Sequence, residues 1–311
     1  MAKNYYIPST WDEMNTAMFV RVSEALFCSS GLPVPQTRAN VLSAITEIKI
    51  TGEVNCHQEL ASLTRFCFII SHNADILEII DPQLANLLGW CLPTEIDDTR
   101  LKLQLQHVAG MLETKVSLNL NIRSNKIPSI AGLRGPVFSI DKNGILETDL
   151  LTGEYLDSLE YLAAYEQSKD EKYLANATAC LYRENRKKYS TFEAQQQAVM
   201  FYGLPEVKAV WLMMLAWQHY FTTHPIFSVL YSGNSSETSN KITAGTSELI
   251  YQFSKEGYGT IDDLMHMPIV DFLNIRVKSL RDYIYQLRAN NKKDSEIADI
   301  LKLDIQTVFK F

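Results

Sequence analysis

Apolar residues recur at helical spacing along most of the chain. Met14, Ala17, Met18, Val20, Val22, Ala25 and Leu26 roughly follow the 3.6-residue period and predict a helix running toward Phe27. Ser9 or Thr10 is placed to cap it, with Asp12 and Glu13 in a first turn where acids favour the positive dipole end, and Gly31, Pro33 and Pro35 stop it. A second helix is expected over residues 37–50, and two or three short ones over 58–90, punctuated by Asn73, Asp81 and Pro82.

The period then changes. Val116, Leu118, Leu120 and Ile122 alternate with Ser117, Asn119 and Asn121, the pattern of a half-buried strand. A second short run covers residues 136–140, and Asp141, Lys142, Asn143 and Gly144 supply turn chemistry before Ile145 and Leu146. A small sheet is expected here.

From Thr152 the helical period returns, with Tyr155, Leu159, Leu162, Ala163 and Tyr165 on one face and Glu154, Asp157 and Glu160 on the others. A helix over residues 170–182 would complete a helical hairpin, in which Glu154 favours the helix start and Tyr182 packs against Tyr155 and Leu159 with its hydroxyl hydrated. Residues 192–202 and 207–221 read as two more helices, broken by Gly203, Leu204 and Pro205. The polar run 232–246 has linker composition, and the tail from Ile250 reads as three or four helices. The expectation is a mainly α chain with a small antiparallel β element (α+β), its helical units separated by a polar linker: residues 1–125, 126–231 and 247–311.

Composition narrows the function classes. The 311 residues are 46% hydrophobic and 21% charged, which suits a globular chain, and the net charge of -7 disfavours broad binding to nucleic acid or anionic membrane. The longest apolar stretch, residues 209–221, falls well short of the ~20 needed to span a bilayer, so no membrane partner is expected. The first thirty residues lack a basic start followed by an apolar core, and five cysteines without close pairing suit reduced thiols, so a cytoplasmic location is expected.

Catalytic patterns are missing. The six histidines do not place two metal ligands on one helix face, and Cys56 beside His57 point apart. No Walker loop, nucleophile elbow or dinucleotide glycine fingerprint is present, and Gly132-Leu-Arg-Gly135 reads as a loop turning into a strand. Asp97 with Asp98, and Asp262 with Asp263, read as helix starts, and the aromatic group Trp211, Trp217, Tyr220, Phe221 and Phe227 reads as core. No catalytic residue, metal ligand or cofactor is expected; Trp11, Tyr155 and Tyr182 stand as possible partner contacts.

Residues 288–311 resemble the second half of a helix-turn-helix. Ser295 would cap its first helix, Ile297, Ala298 and Leu301 would face inward, Leu303 would mark the turn, and Gln306, Thr307 and Val308 would open the recognition helix. On that alternative Gln306, Thr307 and Lys310 would contact DNA. From Arg276 onward eight basic and five acidic residues leave a local +3, yet Lys310 is the one basic side chain of the would-be recognition helix.

Three stretches carry a wider resemblance: residues 7–13 (Ile-Pro-Ser-Thr-Trp-Asp-Glu); Leu151-Thr-Gly-Glu-Tyr155, followed by Tyr173-Leu174 and closing at Leu181-Tyr-Arg183; and His224-Pro-Ile-Phe227 with Met267-Pro268. Together they resemble tail-assembly chaperone-like and tail accessory proteins of gut-bacterial (Bacteroidetes-type) prophages. Glu184 follows Arg183 where that pattern has proline, and the last 35 residues have no counterpart in it. The resemblance implies a non-catalytic assembly or virion component whose helical faces grip other phage tail or virion proteins, in the host cytoplasm or in the particle.

Overall fold

The computed structural model describes residues 6–30, 34–49, 70–71, 117–184, 188–232 and 246–311. Of the stretch 58–90, expected to be helical, only Ile70–Ser71 are described, and they form a strand held by pairing with Ser117–Leu118; the rest of it, Cys56 with His57, Asp97 with Asp98, and nearly all of the polar run 232–246 lie outside the described residues. The chain divides into two compact units, residues 1–122 and 123–311. The described architecture is mainly α with small two-stranded antiparallel elements.

In the first unit Trp11–Glu13 forms a 3₁₀ turn, and α1 (Thr16–Cys28) begins only after Asn15, whose side-chain oxygen accepts the Met18 N–H at 2.9 Å. The cap expected at Ser9 or Thr10 is displaced because Glu13 reaches back instead, its carboxylate accepting the Ser9 N–H and the Tyr6 hydroxyl. Trp11 is buried edge-on against Phe19, and its indole N–H donates to the Asn119 carbonyl at 2.9 Å. α2 (Val34–Thr46) packs on α1.

The strand expected over 116–122 is shorter. Only β2 (Ser117–Leu118) pairs, with β1 (Ile70–Ser71). Beyond it the Asn119 side chain accepts the Asn121 N–H at 3.0 Å and the Ile122 N–H turns back to the Leu120 carbonyl, so local side-chain bonding replaces the ladder.

In the second unit β3 (Ser129–Ile130) and β4 (Leu133–Arg134) form a hairpin whose two turn residues, Ala131 and Gly132, both have positive φ, as a primed two-residue turn requires. β5 (Phe138–Ile140) pairs with β6 (Leu146–Thr148), and Asp141 Oδ1 organises their turn by accepting the N–H groups of Asn143 and Ile145. α3 (Thr152–Ser168) packs lengthwise on α4 (Lys172–Leu181), which is buried almost all round. α5 (Thr191–Gln197) runs on into a 3₁₀ turn, Ala198–Phe201, and α6 (Glu206–Thr223) is apolar enough to pass through the core: its Trp217 stacks on Phe138 at 4.7 Å, and its Phe221 meets Tyr155 at 5.3 Å.

The tail has five helices where three or four are expected: α7 (Thr246–Lys255), α8 (Ile261–His266), α9 (Ile269–Ala289), α10 (Asp294–Leu301) and α11 (Ile305–Phe309). The extra one is the six-residue α8, which Thr260 and Asp263 cap reciprocally, so Asp262 and Asp263 do sit at a helix start. The α8–α9 junction fastens to the start of α3: Thr152 donates both its N–H and its hydroxyl to the Met267 carbonyl, and the Ile269 N–H donates to Leu150.

Tyr182 departs from its expected setting. Its hydroxyl is not hydrated but buried, donating to the Ile127 carbonyl at 2.7 Å, and its ring lies so close to Gly135 that a Cβ there would sit 2.7 Å from Cε1. Tyr182→Phe should cost about 1 kcal/mol by orphaning the Ile127 carbonyl, and Tyr182→Ala about 3–5 kcal/mol. Gly135→Ala should cost about 1–3 kcal/mol through overpacking. Urea denaturation of the three variants checks the ranking.

Candidate functional site

A buried cluster of ionisable groups surrounds the start of α3. Glu154 is fully buried; its carboxylate accepts the Leu151 N–H at 2.8 Å and pairs with the Arg183 guanidinium at 2.5 Å. Glu154 stands in the first turn of α3, as expected, but a cation from the end of α4 pairs with it inside the fold. Arg183 follows α4, exchanges backbone hydrogen bonds with Arg134 of β4, and lies over the Tyr189 ring at 5.8 Å. The Tyr189 hydroxyl donates to Asp157 Oδ2 at 2.5 Å, and Thr191 donates to the same oxygen at 2.7 Å.

Burial pushes the Cys180 thiol far above its ordinary range; the Tyr189 hydrogen bond pulls it part of the way back, and the Asp157, Glu154 and Glu160 charges add smaller upward pushes, so it is protonated and a poor nucleophile at neutral pH. Burial also drives the Tyr189 hydroxyl up, aided by Cys180 and Asp157. Beside the cluster lies a cleft of about 200 Å³ lined by Arg183, Lys188, Ser190, Glu193 and Gln197. The clustered groups bond chiefly to one another, so the arrangement acts as a clasp. Sequence spacing could not reveal it, because its members come from three separate segments.

The C-terminal helices form the other candidate site. Ile284 of α9, Ile297 and Ala298 of α10 and Val308 of α11 make a small core of their own, packed by Leu280, Leu287, Leu301, Leu303 and Phe311. Lys302, with positive φ, ends α10, and Asp304 caps α11 by accepting the Gln306 N–H at 2.9 Å. The inward residues of the helix-turn-helix resemblance are therefore inside, and Gln306 and Lys310 are exposed. Thr307, expected as a contact, is buried beside Val308, because the turn at 302–304 directs that position into the small core.

Two of the eight basic residues counted from Arg276 onward turn inward. Arg288 donates to Asp294 at 2.9 Å and to the Val308 carbonyl at 3.0 Å. Arg276 bonds to Tyr231, and burial lowers its pKa despite the opposing pull of Tyr231 and Tyr155. The outer surface of α10 and α11 carries exposed Glu296, Asp299, Lys302, Asp304, Gln306 and Lys310, and among them three apolar side chains, Ile300, Ile305 and Phe309, exposed by 48%, 37% and 57%.

The possible partner contacts Trp11, Tyr155 and Tyr182 are all core side chains instead. Helical periodicity marks a buried face without saying whether the chain's own core or a partner covers it. Among the described residues no group of three or more His, Cys, Asp and Glu is placed to hold a metal ion, and no helix is long and apolar enough to cross a membrane. Comparison of the chain with protein-family models, curated proteins and solved structures finds no match in any of the three.

Breaking the clasp should be far more costly than removing it. Arg183→Met or Glu154→Leu alone should lose about 3–5 kcal/mol by stranding a buried charge, and the double variant should lose clearly less than the sum. A double-mutant cycle in urea measures the coupling.

Proposed function

We propose that the protein is a non-catalytic component of a phage or prophage structural module, acting in tail assembly or in the virion through protein–protein contact. The observation that carries this reading is the exposure of three large apolar side chains on the α10–α11 pair, Ile300, Ile305 and Phe309, among neighbours of which Glu296, Asp299 and Asp304 are acidic, at a place where a DNA reader would need cations. Ile305 and Phe309 stand at i and i+4 on α11, and large apolar side chains exposed on one helix face favour a protein partner. The resemblance of residues 7–13, 151–183 and 224–273 to tail-assembly chaperone-like and tail accessory proteins supplies the class of partner, other tail or virion proteins in the host cytoplasm.

The alternative, a transcriptional regulator using the helix-turn-helix end, has less support. Thr307 is withdrawn from the surface, Arg288 is committed within the helix cluster, and α11 itself carries no cation, Lys310 being its C-terminal cap. Few phosphates could be neutralised by that surface, and the net charge of -7 repels the duplex.

Mixing the full chain with purified products of neighbouring genes, followed by size exclusion, tests the reading. At least one tail or virion protein should co-elute, and Ile305→Ser with Phe309→Ser should weaken that complex by about tenfold or more while leaving the thermal transition in place. Anisotropy titration of the full chain against duplex fragments at about 50 and 200 mM salt should show no sequence-selective binding. Sub-micromolar, sequence-selective and salt-sensitive binding there would overturn the assignment in favour of the DNA reading.

A further inference from the structure

The ring of His266, the last residue of α8, stands between two acceptors. Its Nδ1 lies 2.7 Å from the Asp262 carbonyl oxygen, and its Nε2 lies 2.9 Å from that of Tyr189. A carbonyl oxygen can only accept, whereas a neutral imidazole carries one N–H and one lone pair. Either neutral tautomer therefore aims a lone pair at one of the two oxygens. Both contacts are hydrogen bonds only when the ring holds two protons and a positive charge.

The position of Tyr189 gives that extra proton leverage. Its ring packs where a Cβ on Gly153 of α3 would meet it at 2.9 Å, beside Met265 of α8 at 2.8 Å. Its hydroxyl donates to Asp157 of α3, and its carbonyl takes the His266 bond one residue before Ser190 caps α5. Among the described residues His266 is the donor that reaches this carbonyl.

From this geometry we propose that His266 is a proton-operated latch between α8 and residues 188–190. The doubly protonated ring pins the Tyr189 carbonyl to α8, and loss of a proton as the pH rises breaks one of the two bonds. The latch is independent of the α10–α11 surface and of the function proposed for it.

The charges around the ring leave the decision to the two carbonyls. Asp262 Oδ1 lies 3.3 Å from Nδ1 and favours the positive ring, while Lys188 Nζ, 2.7 Å from Oδ2 of the same carboxylate, opposes it. Asp262 and Lys188 are 65% and 66% exposed, so water screens both. Asp263, also on α8, is held low chiefly by its hydrogen bonds with Thr260 and stays ionised. On α3, Asp157 is engaged by Tyr189 and Thr191, and Glu154 by Arg183. Glu248 and Lys255 of α7, the other helix packed on α8, make no bond to the ring.

The charged ring makes one more bond in the folded chain than the neutral ring does. Its contribution is therefore full on the acid side of the imidazole titration and is lost as the pH rises through it. Between about pH 5.5 and 8 the carboxylates and Lys188 keep their charges, so His266 is the group of this junction that changes state.

Urea denaturation of the full chain and of His266→Gln, each at about pH 5.5 and 8, tests the latch. Glutamine keeps an amide donor but does not titrate, and the other histidines are common to both chains, so they cancel in the difference. The wild type should have the higher midpoint at about pH 5.5 and lose that advantage by about pH 8. In the wild type itself, nitrogen NMR should find both His266 ring nitrogens protonated at about pH 5.5. The Tyr189 carbonyl carbon should shift at the same midpoint, a readout that needs no variant to fold. A midpoint advantage that is equal at the two pH values overturns the proposal. So does a His266 ring with a single proton on the acid side, or a Tyr189 carbonyl that ignores the titration.

Discussion

The second unit is organised by one buried ion pair. Arg183 holds Glu154 at the start of α3 through its guanidinium, Arg134 of the first hairpin through its backbone, and the ring of Tyr189 through its flat face. Remove that side chain and Glu154 and the Tyr189 ring lose their common partner. Taking both charges out of water is costly, and their attraction offsets the cost only with additional hydrogen bonds, such as the Leu151 N–H supplies to Glu154. The gain from such a pair is geometric: it specifies which helix end, hairpin and loop belong together.

The same clasp explains why the neighbouring polar groups stay confined. Asp157 is held by Tyr189 and Thr191, while His266 of α8 rests between the carbonyls of Asp262 and Tyr189. The bonds to Asp157 tie residues 189–191 to α3, and the bond between His266 and the Tyr189 carbonyl ties them to α8. α5 starts from that anchored segment.

Much of this fold was legible locally. The α3 stripe of Tyr155, Leu159 and Leu162, the Asp141–Gly144 turn chemistry and the inward set of Ile297, Ala298, Leu301 and Val308 all follow from spacing within a few residues. What escaped was decided at a distance. An acid at a helix start looks like a dipole partner, and only Arg183, contributed by another helix end, makes Glu154 a buried ion. Tyr182 looked half-wet because nothing near it in sequence announces the Ile127 carbonyl or the open Gly135. The alternation at 116–122 was genuine, but Asn119 could satisfy the backbone locally and ended the ladder early. The exposure of Phe192, Val199, Met200 and Tyr202 escaped as well, because the large apolar side chains of residues 192–202 promise burial and do not say which of them remain outside.

One consequence belongs to α9. Its first turns, at Ile269, Phe272 and Leu273, are sunk in the main core, while Ile284 sits in the small cluster with α10 and α11. Twenty-one helical residues make a rod of about 30 Å, so the helix is both a spacer and a dial. Adding one turn would advance the terminal cluster by about 5 Å with nearly the same bearing, whereas adding two residues would swing it by roughly 200°. The hydrogen bond from the Asp304 N–H to the Ser232 carbonyl holds one setting of that dial. Length in this helix is thus a heritable coordinate: insertions and deletions there re-aim the α10–α11 cluster without changing any residue of it.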